Sequence, residues 1–223
     1  LTTTQIAALT TGQLAALSAL AIPGLTTADI VALTTAQAAV LTSAQLAGMG
    51  AAEVTAFETA DLAALTPATL RGLTAAQVVG FDTAQWTALA AAQLAALTPG
   101  ALGAISTAGL AALSTVQVVA LASAQIAALD SAQIAALTTA QVAALGTAQI
   151  AAIGALALAG MEAAAAEALT TAQVAALGAG QIIGMTTAAL AALDPADVAE
   201  INLAALPCPP ARSRCVRLRS WPQ

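Results

Sequence analysis

The chain is built from one eight-residue unit that repeats without insertion or deletion. Twenty-six consecutive octads cover Leu1 to Cys208, and Leu137–Ala144, which reads Leu-Thr-Thr-Ala-Gln-Val-Ala-Ala, is a representative copy. The first position is Leu, Ile, Met or Phe in every octad, and the sixth is Leu, Ile, Val or Trp in all but two. Units of a repeat protein bury their apolar side chains against neighbouring units. The eight-residue period therefore constrains the fold more than any other feature.

Neither a continuous helix nor a strand accommodates this period. In an α-helix, eight residues turn through about 800°, so each apolar residue lies about 80° further round than its counterpart one octad earlier. A single apolar face cannot form. In a strand, positions one and six point to opposite faces, and the Ala-rich remainder has low strand propensity. The chain therefore has to change direction once in each octad.

Helix-capping residues mark the place of this change. Position two is Thr, Ser, Asp or Asn in 18 of the 26 octads and Gly in four more, and these residues are favoured at helix N-caps. Position five is Gln, Asp or Glu in 18 octads, which gives the spacing of a capping box. Counted from this N-cap, positions one and six are the two apolar residues of a hydrophobic staple.

Three prolines support the same register. Pro67, Pro99 and Pro195 all occupy position three, which is the first helical position, where proline is favoured because no backbone donor is needed. We therefore predict a helix of about six residues over positions three to eight, followed by a two-residue corner.

Such helices must be stabilised by their neighbours, because isolated helices shorter than about 12 residues are marginal in water. The predicted fold is an all-α solenoid or superhelix of one-to-two-turn helices, one per octad. Small residues at positions four, seven and eight are expected to let the helices approach closely. Handedness and the number of helices per superhelical turn stay open at this point.

Two octads depart from the pattern. Leu17–Gly24 carries Pro23 at position seven, and Met161–Ala168 lacks both the capping and the staple residues. We expect local kinks at both, because proline removes a helical donor and the second octad has no side chain to cap its helix.

The composition changes sharply after Leu206. We predict an octapeptide-repeat solenoid over residues 1–206 and a Pro/Arg-rich tail over residues 207–223, either disordered or produced by translation past a frameshift. The tail holds four of the five Arg, whereas the array holds 11 acidic residues against Arg71 alone. Cys208 and Cys215 could pair in an oxidising compartment, but two cysteines in such a tail make neither a disulfide framework nor a zinc site. Because no signal peptide precedes the first octad, we expect an internal fragment of a longer protein.

The composition argues against most catalytic chemistry. The chain has no His, Lys or Tyr, and only 7% of its residues are charged, against about a quarter in a typical domain. Without His there is no Ser-His-Asp or Cys-His machinery, and without Lys there is no phosphate-binding lysine and no Schiff base. We predict that the protein is not an enzyme and has no catalytic, cofactor-binding or metal-binding residues.

Three groups of acidic residues are superficially similar to cation-binding or glycosidase sites. They are Asp194 with Asp197 and Glu200, Glu53 with Glu58 and Asp61, and the pair Glu162 and Glu167. In the first group, Asp194 is interpreted as the N-cap and Asp197 as the box residue, and the second group is interpreted in the same way. The pair is five residues apart, which places its members on different helix faces and argues against a glycosidase site.

Two further features have structural interpretations. Gly178–Gly184 departs from the spacing of a dinucleotide-binding loop and follows no strand. Its glycines are interpreted as the cap, the close-contact position and the helix end of one octad. Trp86 occupies position six and is predicted to lie in the core.

Leu73–Gly80, with Leu-Thr followed by Gln-Val-Val, resembles the opening of a transcription-activator-like effector repeat. The second helix and the base-reading dipeptide of those longer repeats have no counterpart here. An acidic array without Lys also repels phosphate. We therefore predict no nucleic-acid binding.

The pattern Leu-Thr-Thr-Ala-Gln-Ile/Val-Ala-Ala is similar to octapeptide-repeat tracts of large bacterial surface or secreted proteins, described as adhesin-like or haem-utilisation-like. The resemblance covers all 26 octads. It implies an extended segment that is secreted or exposed on a bacterial cell surface. It carries over no functional residue, and no haem-ligating His is present.

Together these observations predict a non-catalytic array that acts as a spacer, stalk or protein-interaction surface in a larger bacterial protein, without a cofactor. Its partner is an unidentified protein or surface, with self-association included. The mean hydropathy of +0.89 suggests a membrane protein, yet the longest apolar stretch is about 12 residues, against about 20 for a spanning helix. We therefore predict no transmembrane segment. The alternatives are an ice- or water-ordering Thr/Ala-rich repeat and a membrane-associating apolar array.

Overall fold

The computed structural model describes residues 2–201, in which each of the first 25 octads forms one short helix. Within that range there are 23 α-helices, two 3₁₀-helices and no strand. The α-helices are α1 (Thr3–Ala7), α2 (Thr11–Ala15), α3 (Thr27–Val31), α4 (Thr35–Ala38), α5 (Ser43–Gly48), α6 (Ala51–Thr55), α7 (Thr59–Ala64), α8 (Pro67–Leu70), α9 (Ala75–Val78), α10 (Thr83–Ala88), α11 (Ala91–Ala96), α12 (Pro99–Leu102), α13 (Thr107–Ala112), α14 (Thr115–Val119), α15 (Ser123–Ile126), α16 (Ser131–Ala136), α17 (Thr139–Ala144), α18 (Thr147–Ala152), α19 (Ala163–Glu167), α20 (Thr171–Ala175), α21 (Ala179–Gly184), α22 (Thr187–Ala191) and α23 (Pro195–Glu200). The 3₁₀-helices are Ile22–Gly24 and Ala157–Gly160. The prediction of an all-α repeat with one helix per octad is confirmed.

The capping register that defines these helices is also confirmed. In the octad of α17, Thr138 has an extended backbone, and its Oγ1 accepts a hydrogen bond from the Gln141 amide at 3.2 Å. In return, Gln141 Oε1 accepts from the Thr138 amide at 2.8 Å. The three prolines at position three each begin a helix, namely α8, α12 and α23. Local side-chain chemistry therefore decides where most of these helices start.

The helices wind into a superhelix whose turn takes between three and four octads. Helix α10, for example, packs against α7 on one side and α13 on the other, three octads away in each direction. Side-chain hydrogen bonds between turns join residues 28 to 31 positions apart. Positions one and six of successive turns form one continuous core that runs through the array. The number of helices per superhelical turn, which the sequence left open, is therefore between three and four.

The exposed surface differs from the prediction at positions four and seven. In the octad of α17, Leu137, Gln141 and Val142 are buried, whereas Ala140 and Ala143 are exposed. The close approach that was also predicted at position eight is confirmed. At Gly184, an added Cβ would overlap the carbonyl oxygen of Ala155, three octads earlier. The prediction of close contacts at positions four and seven is therefore wrong for most octads, because those positions face solvent between the turns.

One of the two predicted irregularities coincides with a 3₁₀-helix, at Ile22–Gly24. The other does not, because Met161–Ala168 forms α19, whose N-cap Glu162 is extended although its side chain makes no capping bond. The second 3₁₀-helix lies one octad earlier, at Ala157–Gly160. Both 3₁₀ octads have Ala-Leu-Ala at positions three to five, and the central residues Leu20 and Leu156 are 93% and 90% exposed.

The predicted tail at 207–223, with Cys208 and Cys215, lies outside the described residues, as does the predicted boundary at 206. Among the helices described, none has the length and apolar character needed to cross a membrane.

Candidate functional site: the glutamine ladder

Glutamines at position five that donate to the preceding turn, all of them buried except the half-buried Gln117, are the most regular polar feature of the superhelix. We call them the glutamine ladder, and it comprises the glutamines whose amide nitrogen donates to backbone carbonyls of the preceding turn. Its twelve members are Gln37, Gln45, Gln77, Gln85, Gln93, Gln117, Gln125, Gln133, Gln141, Gln149, Gln173 and Gln181.

Each ladder amide connects the start of one helix to the end of another. Gln141 Nε2 donates to the carbonyl oxygens of Leu110 at 2.9 Å and Leu113 at 2.7 Å. Those residues lie at the end of α13, whereas Gln141 Oε1 accepts from the N-cap of α17. One neutral side chain thus satisfies a donor at a helix N-terminus and acceptors at a helix C-terminus. The Leu110 carbonyl also accepts from the Leu113 amide at 3.2 Å.

This arrangement explains how an array with few charges accommodates so many helix ends. Short helices leave most of their terminal N–H and C=O groups unpaired, and burying such groups without partners is costly. The ladder pairs them without introducing an ion, so no desolvated charge has to be stabilised. The low charge content is therefore compatible with a well-satisfied interior.

Each ladder glutamine makes two kinds of hydrogen bond, and the sequence pattern predicted only one of them. It identified the local capping bond but not the bond from the amide nitrogen to the preceding turn. A signal was present, because a capping box accepts Glu as readily as Gln, whereas position five holds 14 Gln and a single Glu, Glu53. That bias indicates that the side-chain N–H donor, which Gln has and Glu lacks, is required at position five.

Several octads lack the ladder amide. Thr69 partly replaces it, since its Oγ1 donates to the Leu41 carbonyl at 2.7 Å. In the other octads among the first 25 that lack a polar side chain at position five, this position is Ala or Gly, namely Ala21, Ala101, Gly109, Ala157, Ala165 and Ala189. At four octads with Ala or Gly at position two, the glutamine still accepts from the N-cap amide, as Gln93 does from Ala90 at 2.6 Å.

The predicted cap at Asp194 is confirmed, although its Oδ1 accepts from the Ala196 amide at 2.8 Å and not from Asp197. Asp197 is buried at position five, and the side chain of Glu200 lies outside the described part of the structure. Glu58 is an N-cap by backbone conformation only, since its side chain makes no capping bond.

The remaining candidate acids are dispersed along the array. Asp61 is buried and Glu53 half-buried, each at position five of its own octad. Glu162 precedes α19 as its N-cap, and Glu167 is the last residue of that helix. Both are exposed. Within residues 2–201, no three His, Cys, Asp or Glu side chains are grouped so that they can hold a metal ion, and the same residues enclose no pocket.

The structure places the glycines of Gly178–Gly184 in different environments. Gly178 is the N-cap, as predicted, and its amide donates to Gln181 Oε1 at 2.8 Å. Gly180, predicted to make a close contact, faces open space. Gly184, at the helix end, is the residue that needs to lack a Cβ.

Trp86 lies in the core, as predicted, and is fully buried. Its ring meets Phe81, the other member of its staple, edge to face, with centroids 5.4 Å apart and an interplanar angle of 65°. A Cβ on Gly109, three octads later, would come within 2.8 Å of Trp86 Cδ1. The larger side chain in one turn is therefore accommodated by the absence of a side chain in the next.

Among the described residues, Asp29, the box residue of α3, has a shifted pKa. Asp29 Oδ2 accepts from the Thr26 amide at 3.0 Å and from Thr26 Oγ1 at 2.8 Å. The backbone hydrogen bond, followed by the side-chain one, lowers the pKa of Asp29 below its ordinary value. The deprotonated form is therefore favoured by folding.

This shift predicts a specific loss of stability in acid. The contribution of Asp29 is fully present above its unfolded pKa of about 4 and is lost as the pH falls through the lower folded value. Asp29→Asn keeps an acceptor oxygen but cannot titrate, so we expect a smaller drop in the local stability of α3 between pH 7 and pH 2. Hydrogen exchange of the α3 amides across this range measures it. Parallel losses in the two proteins would contradict the prediction.

The comparison with protein families agrees with the repeat seen in the geometry. The family model of the ALTTAQ repeat matches residues 54–91 and 118–155, about a third of the chain. The second segment contains the ladder residues Gln125, Gln133, Gln141 and Gln149. No curated protein matches the chain. In these two segments, the chain is similar to the ALTTAQ repeat, an octapeptide-type repeat.

Proposed function

We propose that the array is a non-catalytic structural element, a spacer or stalk that also offers a protein-interaction surface, within a larger bacterial surface or secreted protein. The observation that carries this proposal is the glutamine ladder. Its polar groups join turn to turn and are buried, as Gln141 is between Leu110 and Leu113. The hydrogen-bonding groups of these side chains are already bonded to backbone groups of the array. Such side chains stabilise a scaffold.

The shape of the superhelix supports a role in holding a fixed distance. Each turn stacks on the one before it, as α10 does on α7, and packed helices lie about 8–10 Å apart. Length therefore increases by about 10 Å for each added turn. Continuous core contacts and ladder bonds between turns oppose bending, whereas a flexible linker would have neither.

A distance measurement tests the spacer role. Thr35 and Thr171 are exposed at position three of α4 and α20, about five turns apart at three to four octads per turn. With Cys208→Ser and Cys215→Ser, spin labels on Thr35→Cys and Thr171→Cys should show one narrow distribution near about 50 Å in double electron–electron resonance. Adding Gln93→Ala and Gln125→Ala between the labels should broaden it. A distribution equally broad without those changes would refute a rigid spacer.

The proposed location is tested separately. Antibodies raised against residues 2–201 should label intact cells of the source bacterium, or detect the protein in the culture medium. Permeabilised cells are the control for antibody function. Labelling only after permeabilisation would contradict a surface or secreted location and leave the spacer proposal to the distance measurement.

A further inference from the structure

The octad Ile105–Ala112 interrupts the glutamine ladder beside the single aromatic pair of the described core. It has Gly109 at position five. By the ladder spacing of 31 and 28 residues seen at Gln141, a glutamine at 109 would reach the carbonyl oxygens of Val78 and Phe81. Its Oε1 would accept from the Ser106 amide, as Gln85 Oε1 accepts from Asp82 at 3.1 Å. Glycine can do neither.

The neighbouring indole brings a buried donor to the same place. Trp86 Cδ1 lies against Gly109, where a Cβ would be only 2.8 Å away, and Nε1 is bonded to Cδ1 within the ring. Trp86 Nε1 is buried, and among the described residues no acceptor lies within hydrogen-bonding distance of it. A buried indole N–H normally has a partner. It is the one buried side-chain polar atom in this part of the chain without one.

Two donors and one acceptor at this point form a matched set. The indole N–H and the Ser106 amide need an acceptor, and the Phe81 carbonyl lacks the donor that ladder amides provide elsewhere. The ring cannot easily turn to reach a carbonyl directly, because its edge-to-face contact with Phe81 and its full burial hold it in position. A small molecule that both accepts and donates would satisfy the set.

From this geometry we infer a binding site for one ordered water molecule beside Trp86 Nε1, between the indole edge, the Phe81 carbonyl and the Ser106 amide. The water accepts a hydrogen bond from Trp86 Nε1 and donates one to the Phe81 carbonyl, with the Ser106 amide as a further donor to it. Buried waters in proteins make two to four such bonds to groups that would otherwise be unsatisfied. Its three partners, the indole N–H, the Ser106 amide and the Phe81 carbonyl, are neutral and lie beside a glycine, which favours water over an ion or a larger ligand.

Nuclear magnetic resonance on the full chain tests this site. Trp221→Phe leaves Trp86 as the single indole, and its Hε1 resonance should show a nuclear Overhauser effect to water with the sign of a long-lived contact. The matched variant adds Trp86→Leu and Gly109→Gln, which restores the ladder pattern. Its new amide protons should show no long-lived water contact, because they donate to the Val78 and Phe81 carbonyls directly.

Two outcomes would overturn the inference. One is an indole proton without any water contact. The other is an equally strong water contact at the restored amide, which would mean that water enters the core generally. If the double variant does not fold, a crystal structure of the unmodified chain decides instead. Density for water within about 3.2 Å of Trp86 Nε1 supports the site, and its absence refutes it.

Discussion

Gly184→Ala is expected to destabilise the array by about 1–3 kcal/mol, the usual cost of overpacking a tight contact. The added Cβ would overlap the carbonyl oxygen of Ala155 in the preceding turn. That oxygen belongs to the backbone, so two whole turns have to move apart to relieve the overlap. Hydrogen exchange of α21 and of the facing octad measures the effect locally, which is preferable in a long array that need not unfold in one step.

The matched control lies in the same helix. Gly180 lies in α21 at position four of its octad, where an added Cβ meets nothing within 4 Å. Gly180→Ala should therefore stabilise α21 by about 0.5–1 kcal/mol, because alanine loses less conformational entropy than glycine in a helix. Two substitutions of identical chemistry, four residues apart, should have opposite signs. The same sign for both would show that close approach at position eight does not govern turn spacing.

Gln141→Glu is expected to destabilise the array by about 2–4 kcal/mol at pH 7, at least as much as Gly184→Ala. The substitution keeps the shape and the acceptor that caps α17, but it removes the bonds to the Leu110, Ala111 and Leu113 carbonyls. A buried carboxylate then faces these carbonyl oxygens with no partner. Denaturant unfolding, combined with hydrogen exchange at α13 and α17, measures the loss.

The same variant should recover stability in acid. Burial among carbonyl oxygens raises the pKa of the introduced carboxyl in the folded protein above its unfolded value. Its destabilising effect is therefore complete above the folded pKa and disappears once the pH falls below the unfolded value, since a protonated carboxyl can donate to a carbonyl. A loss of stability independent of pH would contradict this explanation.

Gln13→Glu is the control for the local cap alone. Gln13 is exposed in α2, and its recorded hydrogen bonds all go to Thr10. The substitution keeps the acceptor of the capping box and should change stability by only a few tenths of a kcal/mol. A loss as large as that of Gln141→Glu would mean that glutamine acts through the local box and not through the bond between turns.

The parts of the fold that local chemistry decides were predictable from the sequence. The cap at Thr138, the helix start at Pro67 and the burial of Leu137 with Val142 depend on residues within one octad. The number of octads per turn was not predictable, because it depends on contacts about 28 residues apart, such as Gln141 with Leu113. No pattern inside an octad encodes that separation.

The alanines were interpreted wrongly for a related reason. Alanine suits a close helix contact and an exposed helix surface equally well, so its type alone does not distinguish the two. Ala140 and Ala143 turned out to be exposed. The glycines at position eight were more informative, since Gly72, Gly160 and Gly184 each lie where a Cβ would overlap a carbonyl oxygen 29 residues earlier.

The short rise of each superhelical turn has a mechanical consequence. A turn of about 28 residues advances the folded array by about 10 Å, yet the same residues extend to about 95 Å when pulled straight. Because ladder bonds such as that of Gln141 to Leu113 connect only adjacent turns, the outermost turn is held by one neighbour, whereas an inner turn is held by two. A pull on the ends therefore releases the outermost turn first. Under tension the array would lengthen one turn at a time, with each released turn adding nearly ten times its folded height.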